Sequence, residues 1–394
     1  MSVKEVQQRF AKILGPPQTP KSLLDFHSIL SPTAGVRVSP LCLGAMNFGD
    51  AWEDGMGKCD KDMTFEILDF FWEKGGNFID TSNNYQNEES ETWLGEWMAS
   101  RNNRDQIVLA TKFTTTFPDP LHNPPLQRHN YAGNSTKSLR VSLAASLKKL
   151  QTDYIDLLYV HWWDFTTGIE ELMQSLNQVV AQGKVLYLGV SDTPAWIVSK
   201  ANQYARDHGL RPFSVYQGRW SAADRDFERD IIPMAQAESM ALAPWGALGG
   251  GNFTLAEKTA SGETGRNFHP QTPAQRAVSE HLAKIAEKKN TKITSVALAY
   301  VRHKAPFVFP IVGGRKLEHL KGNIEALGLE LTDEEIDDID GAHPFDIGFP
   351  LNFLFGPGYK TTSGSADLGL LKFSGHLTTL QNQVFPKPVV HKIE

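Results

Sequence analysis

The sequence predicts an α/β chain arranged as a (β/α)8 TIM barrel, with an N-terminal extension and a long C-terminal tail. Three observations carry that expectation. Short apolar runs alternate with longer amphipathic ones about eight times, glycines fall where helices must stop, and polar residues sit just past the apolar runs. Strand–helix–strand alternation means parallel pairing through right-handed crossovers. An open doubly wound sheet and a closed barrel both satisfy it; eight units in one unbroken series favour the barrel.

The apolar runs that read as buried strands are residues 41–43, 78–79, 107–110, 155–160, 185–190, 213–216, 240–243 and 307–311. Between them, Leu139, Leu143, Leu147 and Leu150 recur on one helical face. Ile169, Leu172, Met173, Leu176, Val179 and Val180 make a second stripe of the same kind. Gly75-Gly76 and Gly183 stand where helices end before the next strand. Residues 1–36, rich in Pro, Ser and Thr, form the extension; 37–343 form the barrel; 344–394, rich in Gly, Pro and aromatics, form the tail. A long polar loop, 115–134, follows the third strand. Loops on the C-terminal face of a barrel build its active site, so the tail is expected either to fold over that mouth or to trail from it.

Length alone, at 394 residues, suggests two or three domains, but barrels with insertions run that long as one unit. A net charge of −6 gives no global pull toward nucleic acid or an anionic membrane, although local basic patches can still take a phosphate. Two cysteines, Cys42 and Cys59, cannot build a disulfide framework or a cysteine-based zinc site, and no metal is expected. The start MSVKEVQQRFAKIL lacks the apolar core of a signal peptide, and no long apolar run occurs. The expectation is a cytoplasmic enzyme, monomeric or weakly self-associating, acting on a small molecule.

Four residues lie just beyond strand ends: Asp80 closes NFID, Tyr85 follows five residues later, Lys112 closes VLATK and His161 closes LLYVH. Singly each has a plain explanation. A Tyr or His after a strand is usually packing, an Asp often a helix cap, and Asp80 with Lys112 a structural ion pair. Together they suit one reaction. A carbonyl that receives hydride becomes an alkoxide and needs a proton and positive potential at its oxygen. A phenol is a poor acid at neutral pH, a nearby ammonium makes it a better donor, and a carboxylate holds the ammonium. His161 would orient the carbonyl or join the proton path. Lys112 as a Schiff-base nucleophile of an isomerase or aldolase is a rival, but it leaves Tyr85 without a purpose.

These residues, with LCLGAMNFGD (41–50), GGNFIDTSNNYQNEESETWLG (75–95), LATKF (109–113), DYIDLLYVHWWD (153–164), GKVLYLGVSD (183–192), APWGALGGG (243–251) and PIVGGRKLEHLKGNIEAL (310–327), resemble the aldo-keto reductases. The match spans about residues 41–340. The resemblance implies a (β/α)8 barrel, an NADP(H) cofactor, and Asp80, Tyr85, Lys112 and His161 as the catalytic tetrad with Tyr85 as proton donor. No GxGxxG opens a first βα turn, so a Rossmann site is not expected.

The resemblance instead places the cofactor on other segments. Gly313, Gly314, Arg315 and Lys316 would hold the adenosine 2′-phosphate, and His319 and Asn323 would face the adenine end. The glycine cluster with Gly246, Leu248 and Gly249 would serve the phosphates, as loops after the last strands of barrels often do. Ser191, Asp192 and Gln217 would hold the carboxamide and Trp245 would stack on the ring. Gly44 and Asp50 would stand on the cofactor side as well. Three positions depart from the family pattern: Gly322 replaces an acid, His319 replaces a more usual basic or amide side chain, and Asp192 replaces Asn. A carboxylate there accepts from an amide NH2 but cannot donate to its oxygen.

Within the family the chain is most similar to fungal aryl-alcohol dehydrogenases and the norsolorinic acid reductase group, through SPLCLGAMNFGDAW, HWWD and GFPLNFLFG. That implies an aromatic aldehyde or aryl-ketone substrate. Trp52, Phe113 and Trp162 are expected in the pocket wall, with Trp163 and Trp220 as further candidates or as plain barrel–helix packing. Channel β subunits share the family's fold, tetrad and cofactor yet act as regulators; residues 1–36 show no channel-blocking peptide to favour that reading.

Overall fold

A computed structural model describes residues 2–16, 18–118, 124–255, 270–356, 373, 375 and 389–392. Among them, eight parallel strands close into a barrel: β3 (Cys42–Gly44), β4 (Phe78–Asp80), β5 (Val108–Phe113), β6 (Ile155–Val160), β7 (Val185–Ser191), β8 (Phe213–Arg219), β9 (Ala241–Trp245) and β10 (Ile311–Val312). They are preceded by an antiparallel hairpin, β1 (Ser28–Ser31) and β2 (Ala34–Val38). β10 pairs with β3, and the ring closes where the Leu242 amide donates to the Phe307 carbonyl and the Phe309 amide to the Leu242 carbonyl. The chain is thus a (β/α)8 barrel. The expected last strand at 307–311 is interrupted, because Pro310 has no N–H for the ladder and Phe307 sits at positive φ; only Ile311–Val312 pairs regularly.

Side chains alternate across each strand, so two apolar sets form. Cys42, Phe78, Val108, Ala110, Leu157, Tyr159, Val215, Ala241, Ala243 and Phe309 cluster together inside the barrel. Leu30, Ala34 and Val38 of the hairpin join them, so the hairpin plugs the N-terminal end. The intervening residues, such as Leu43, Ile79, Leu109, Leu158 and Leu188, face outward into the helices. There the stripe of helix Thr136–Lys149 buries Leu139 and Leu143, and that of Ile169–Ala181 buries Leu172, Met173 and Leu176. Each buried leucine or methionine of this kind contributes roughly 1.5–3 kcal/mol relative to an exposed one. Gly75 and Gly183 take positive φ at their helix ends, as their spacing predicts.

Two elements were not anticipated. Helix Val3–Leu14 opens with a reciprocal capping box between Ser2 and Glu5, and the hairpin straddles the point where the sequence suggests the barrel begins. Of the tail, Asp346 and Ile347 accept from Arg229 in the loop after β8, whereas His391 stacks on Phe26 beside the hairpin. Residues 119–123 of the polar loop and most of 357–388 lie outside the described residues. Among the described residues, no helix is long and apolar enough to cross a membrane.

Candidate active site

Strand parity decides which side chains reach the barrel mouth. Asp80 shares the inward face of β4 with Phe78, and Lys112 that of β5 with Ala110. By the same count Gly44, Ser191, Gln217 and Trp245 point inward at the C-terminal ends of β3, β7, β8 and β9. All six lie where barrels collect their chemistry.

Lys112 is fully buried, and its ammonium donates to three oxygens: Asp80 Oδ2 at 2.6 Å, the Thr81 carbonyl at 2.8 Å and the Tyr85 hydroxyl at 3.3 Å. Gln217 Nε2 donates to the other Asp80 oxygen at 2.9 Å, so both carboxylate atoms are engaged. Burial opposes the Lys112 charge, but Asp80 and Tyr85 outweigh it and hold the pKa above the usual lysine value. The His161 ring meets Tyr85 edge-on, centroids 6.0 Å apart, and its Nδ1 lies 3.2 Å from both Ser82 Oγ and Thr115 Oγ1. Burial, helped by the Lys112 charge, pushes the imidazole down to about 3, so it is neutral at physiological pH.

The four residues expected to act together are therefore linked in one chain of contacts, Asp80 to Lys112 to Tyr85 to His161. One electrostatic expectation reverses. Lys112 lowers the Tyr85 pKa as anticipated, but desolvation of the phenol is larger and the net shift is upward. Tyr85 is held as a phenol, with its oxygen receiving the lysine hydrogen bond and its proton left available.

The backbone around Tyr85 is unusual. Gln86, Asn87 and Glu88 all take positive φ, a conformation costing on the order of 1 kcal/mol or more per residue. Their side chains and Glu89 tie this turn to the segment after β3. Gln86 accepts from the Trp52 amide and donates to the Met46 carbonyl, Asn87 accepts from the Trp52 indole, and Glu89 accepts from the Asp50 and Ala51 amides. Gly49, at φ 151°, lets the two segments approach, since a Cβ there would lie 2.3 Å from that of Gln86. On the other side Lys149 binds the Asn83 carbonyl, Glu88 and the buried Glu91, and Glu91 accepts from Thr111. Sequence reading misses Ser82, Gln86, Glu89, Glu91, Thr115 and Lys149, because each works through a partner distant in the chain.

Of the aromatic wall, Trp52 lies edge-on to Tyr85 at 6.3 Å, and Trp162 is partly exposed with its indole donating to Thr115. Phe113 is a correction. It falls on the outward parity of β5 and is wholly buried among core residues, so it offers no area to a ligand. Trp163 is also buried, and Trp220 is buried and stacked on Phe227.

The expected cofactor residues line the same mouth and one flank. Trp245 is exposed beside the turn holding Gly246, Leu248 and Gly249. Asp192, at positive φ, is pushed up to about 6 by the protein packed around it, against hydrogen bonding from Trp245 and Ser191 and the charge of Lys112, although one side faces solvent. After β10, Gly313 to Lys316 lead into helix Leu317–Glu325, whose N-terminus has no side-chain cap. Gly313, Gly314, Lys316 and buried Asn323 line a small recess there. The uncapped first helical turn beside Arg315 and Lys316 is a donor set that fits a phosphate. His319 packs against Gly314, and burial and Lys316 lower its pKa. Gly44 is buried where β3 meets β10. Asp50 is exposed on the clasped segment, its amide bonded to Glu89.

Comparison with known proteins bears on this arrangement. Residues 40–344 match the aldo/keto reductase family model. The chain belongs to the aldo/keto reductase family. It is 59% identical over 367 residues to a norsolorinic acid reductase of Aspergillus flavus, covering 92% of this chain and 94% of that one. It is 58% identical over 356 residues to norsolorinic acid reductase B of Dothistroma septosporum, covering 88% and 90%. An aryl-alcohol dehydrogenase of Pestalotiopsis microspora is 54% identical over 378 residues, covering 95% of each. This aldo/keto reductase is accordingly an oxidoreductase of carbonyl and CH–OH groups, in a family that generally uses NAD(P)H.

Proposed function

We propose that this aldo/keto reductase converts aromatic aldehydes or aryl ketones to alcohols with NADPH, reversibly. The observation that carries the reading is the Lys112 ammonium, bonded at once to Asp80 and to the Tyr85 hydroxyl beneath an aromatic rim. NADPH, when bound, supplies hydride from nicotinamide C4. The residues do the rest. Trp52 and Trp162 bound the substrate ring. Neutral His161 donates to the carbonyl oxygen and orients it toward Tyr85. Tyr85 delivers its proton to that oxygen as negative charge develops there, and Lys112 stabilises the phenolate left behind. Asp80, fixed by Gln217, holds Lys112 in place.

Gly313, Gly314, Arg315, Lys316, His319 and Asn323 are assigned the adenosine phosphate end, and the 2′-phosphate preference rests on Arg315 and Lys316. Ser191, Asp192, Gln217 and Trp245 are assigned the nicotinamide end, with Gly44, Asp50, Gly246, Leu248 and Gly249 alongside. The names of the relatives support both an aryl aldehyde and a polyketide-type aryl ketone. On this reading the protein works in the cytoplasm as a monomer or weak homo-oligomer, in secondary metabolism, and the start of the tail, at Asp346 and Ile347, borders the mouth. The test is consumption of NADPH, and separately NADH, with veratraldehyde-type aldehydes by wild type and Tyr85→Phe. Turnover that prefers NADPH and disappears in the variant supports the assignment. Tight NADPH binding without turnover of any carbonyl would replace it with a regulatory role.

A further inference from the structure

A cavity of about 330 Å³ opens at the end of the barrel opposite the tetrad, next to the β1–β2 hairpin. Leu23, Phe26, Phe307 and Leu327 supply apolar walls, and the stacked pair Phe26–His391, centroids 3.9 Å apart, forms one side. Arg302, on the last turn of helix Ile293–Lys304, also lines it. Its side chain is more than nine-tenths buried, yet it makes no ion pair with any carboxylate among the described residues. One Nη donates to the Leu327 carbonyl at a long 3.4 Å, and Nε has no partner. Burial alone pulls the guanidinium down to about 10, which still leaves it charged at neutral pH. The helix C-terminus offsets part of the cost of that charge, but one weak hydrogen bond does not satisfy five donors.

We propose that this cavity is a second ligand site, binding a planar aromatic carboxylate whose carboxylate is received by Arg302. The fork of a guanidinium matches a carboxylate in two parallel hydrogen bonds, and a single cation balances a single negative charge. A dianion would leave one charge buried and unpaired, which excludes phosphate monoesters. The nearby His27 is engaged with the Gly75 carbonyl and does not add to the donor set. A dry cavity of about 150 Å³ already accommodates benzene, so this one takes a one- or two-ring acid. The site is independent of the reductase reading, because it shares no residue with the mouth.

Titration calorimetry with 1-naphthoate tests it on the intact protein, with 1-naphthylmethanol as the neutral control and excess benzaldehyde as a competitor for the mouth. The expected result is one saturable site, unaffected by benzaldehyde. Binding is weakened about ten- to a hundredfold in Arg302→Met, and as much for the alcohol, with Arg302→Lys intermediate. Arg302→Met should melt no lower than wild type, because it removes a buried charge that has no carboxylate partner. Absence of binding, equal binding by Arg302→Met, or displacement by benzaldehyde would each overturn the proposal. If Arg302→Met does not fold, equal binding of acid and alcohol by wild type overturns it just as well.

Discussion

Among the described residues, two buried lysine–carboxylate–tyrosine clusters are built from the same parts. At the mouth, Lys112 meets Asp80 and Tyr85. Between the outer helices, Lys304 meets Asp340 at 2.8 Å and Glu228 at 3.1 Å, Arg225 bridges the same two carboxylates, and Tyr300 joins them. Each cluster balances its charges, one cation to one carboxylate in the first and two to two in the second. The difference lies in the phenol. Tyr300 is fully buried and donates its proton to Asp340 at 2.6 Å, so that proton is committed. Tyr85 instead accepts from Lys112 and keeps its own proton toward an open mouth. Residue types alone do not distinguish a phenol with a free proton from an internal strut; the direction of one hydrogen bond and access to solvent do.

The largest expected effect comes from exchanging the two tyrosines' fates. Tyr85→Phe should lower kcat/KM by about 10²–10⁴ while barely moving the melting temperature. Tyr300→Phe should leave turnover intact and cost about 1–2 kcal/mol in urea unfolding. If Tyr300→Phe loses turnover as well, the distinction collapses. Next, Lys304→Met leaves Arg225 alone against two buried carboxylates, one charge uncompensated, and should cost roughly 3–5 kcal/mol of stability with kcat unchanged in the surviving fold. A fall in kcat before any fall in stability would break the assignment of that cluster as structural.

The pH dependence separates the mouth further. The folded pKa of His161, about 3, lies below its ordinary value of 6.5. Between those values the unfolded chain binds a proton that the folded one does not, so stability is full above pH 6.5 and declines as pH falls toward 3. His161→Gln should flatten that decline in acid-unfolding curves followed by circular dichroism. The smallest effect has the opposite sign. The folded pKa of Asp192 is raised to about 6, so its contribution is lost as pH rises from about 4 through 6. Asp192→Asn should remove that slope; an identical pH profile would show that the carboxyl is solvated like any surface acid.

Much of this was legible in the sequence. Seven of the eight strands lie where apolar runs predict them, since strands buried on both faces need such runs. Asp80, Tyr85, Lys112 and His161 could be singled out because each sits at or just beyond a strand end, and the structure brings all four to one mouth. Phe113 was misread for a reason the sequence also contains. It is one residue beyond Lys112, and a period of two sends neighbours to opposite faces. The hairpin escaped notice because its strands are short and half exposed, so their pattern resembles a polar extension. The clasp of Gln86, Asn87 and Glu89 on the segment from Met46 to Trp52 was not legible at all. It joins residues more than thirty positions apart through hydrogen bonds that no local pattern encodes.

That clasp has a consequence for how such an enzyme diversifies. The segment carrying Trp52 and the turn carrying Tyr85 are one mechanical body, stitched by five hydrogen bonds and a glycine that leaves no room for slack. Lengthening or shortening the first would drag Tyr85 with it. Drift in substrate range is therefore channelled to the rim at Trp162, which makes none of the clasp's hydrogen bonds. A library aimed at new substrates belongs on that rim, and one aimed at rate belongs on the clasp.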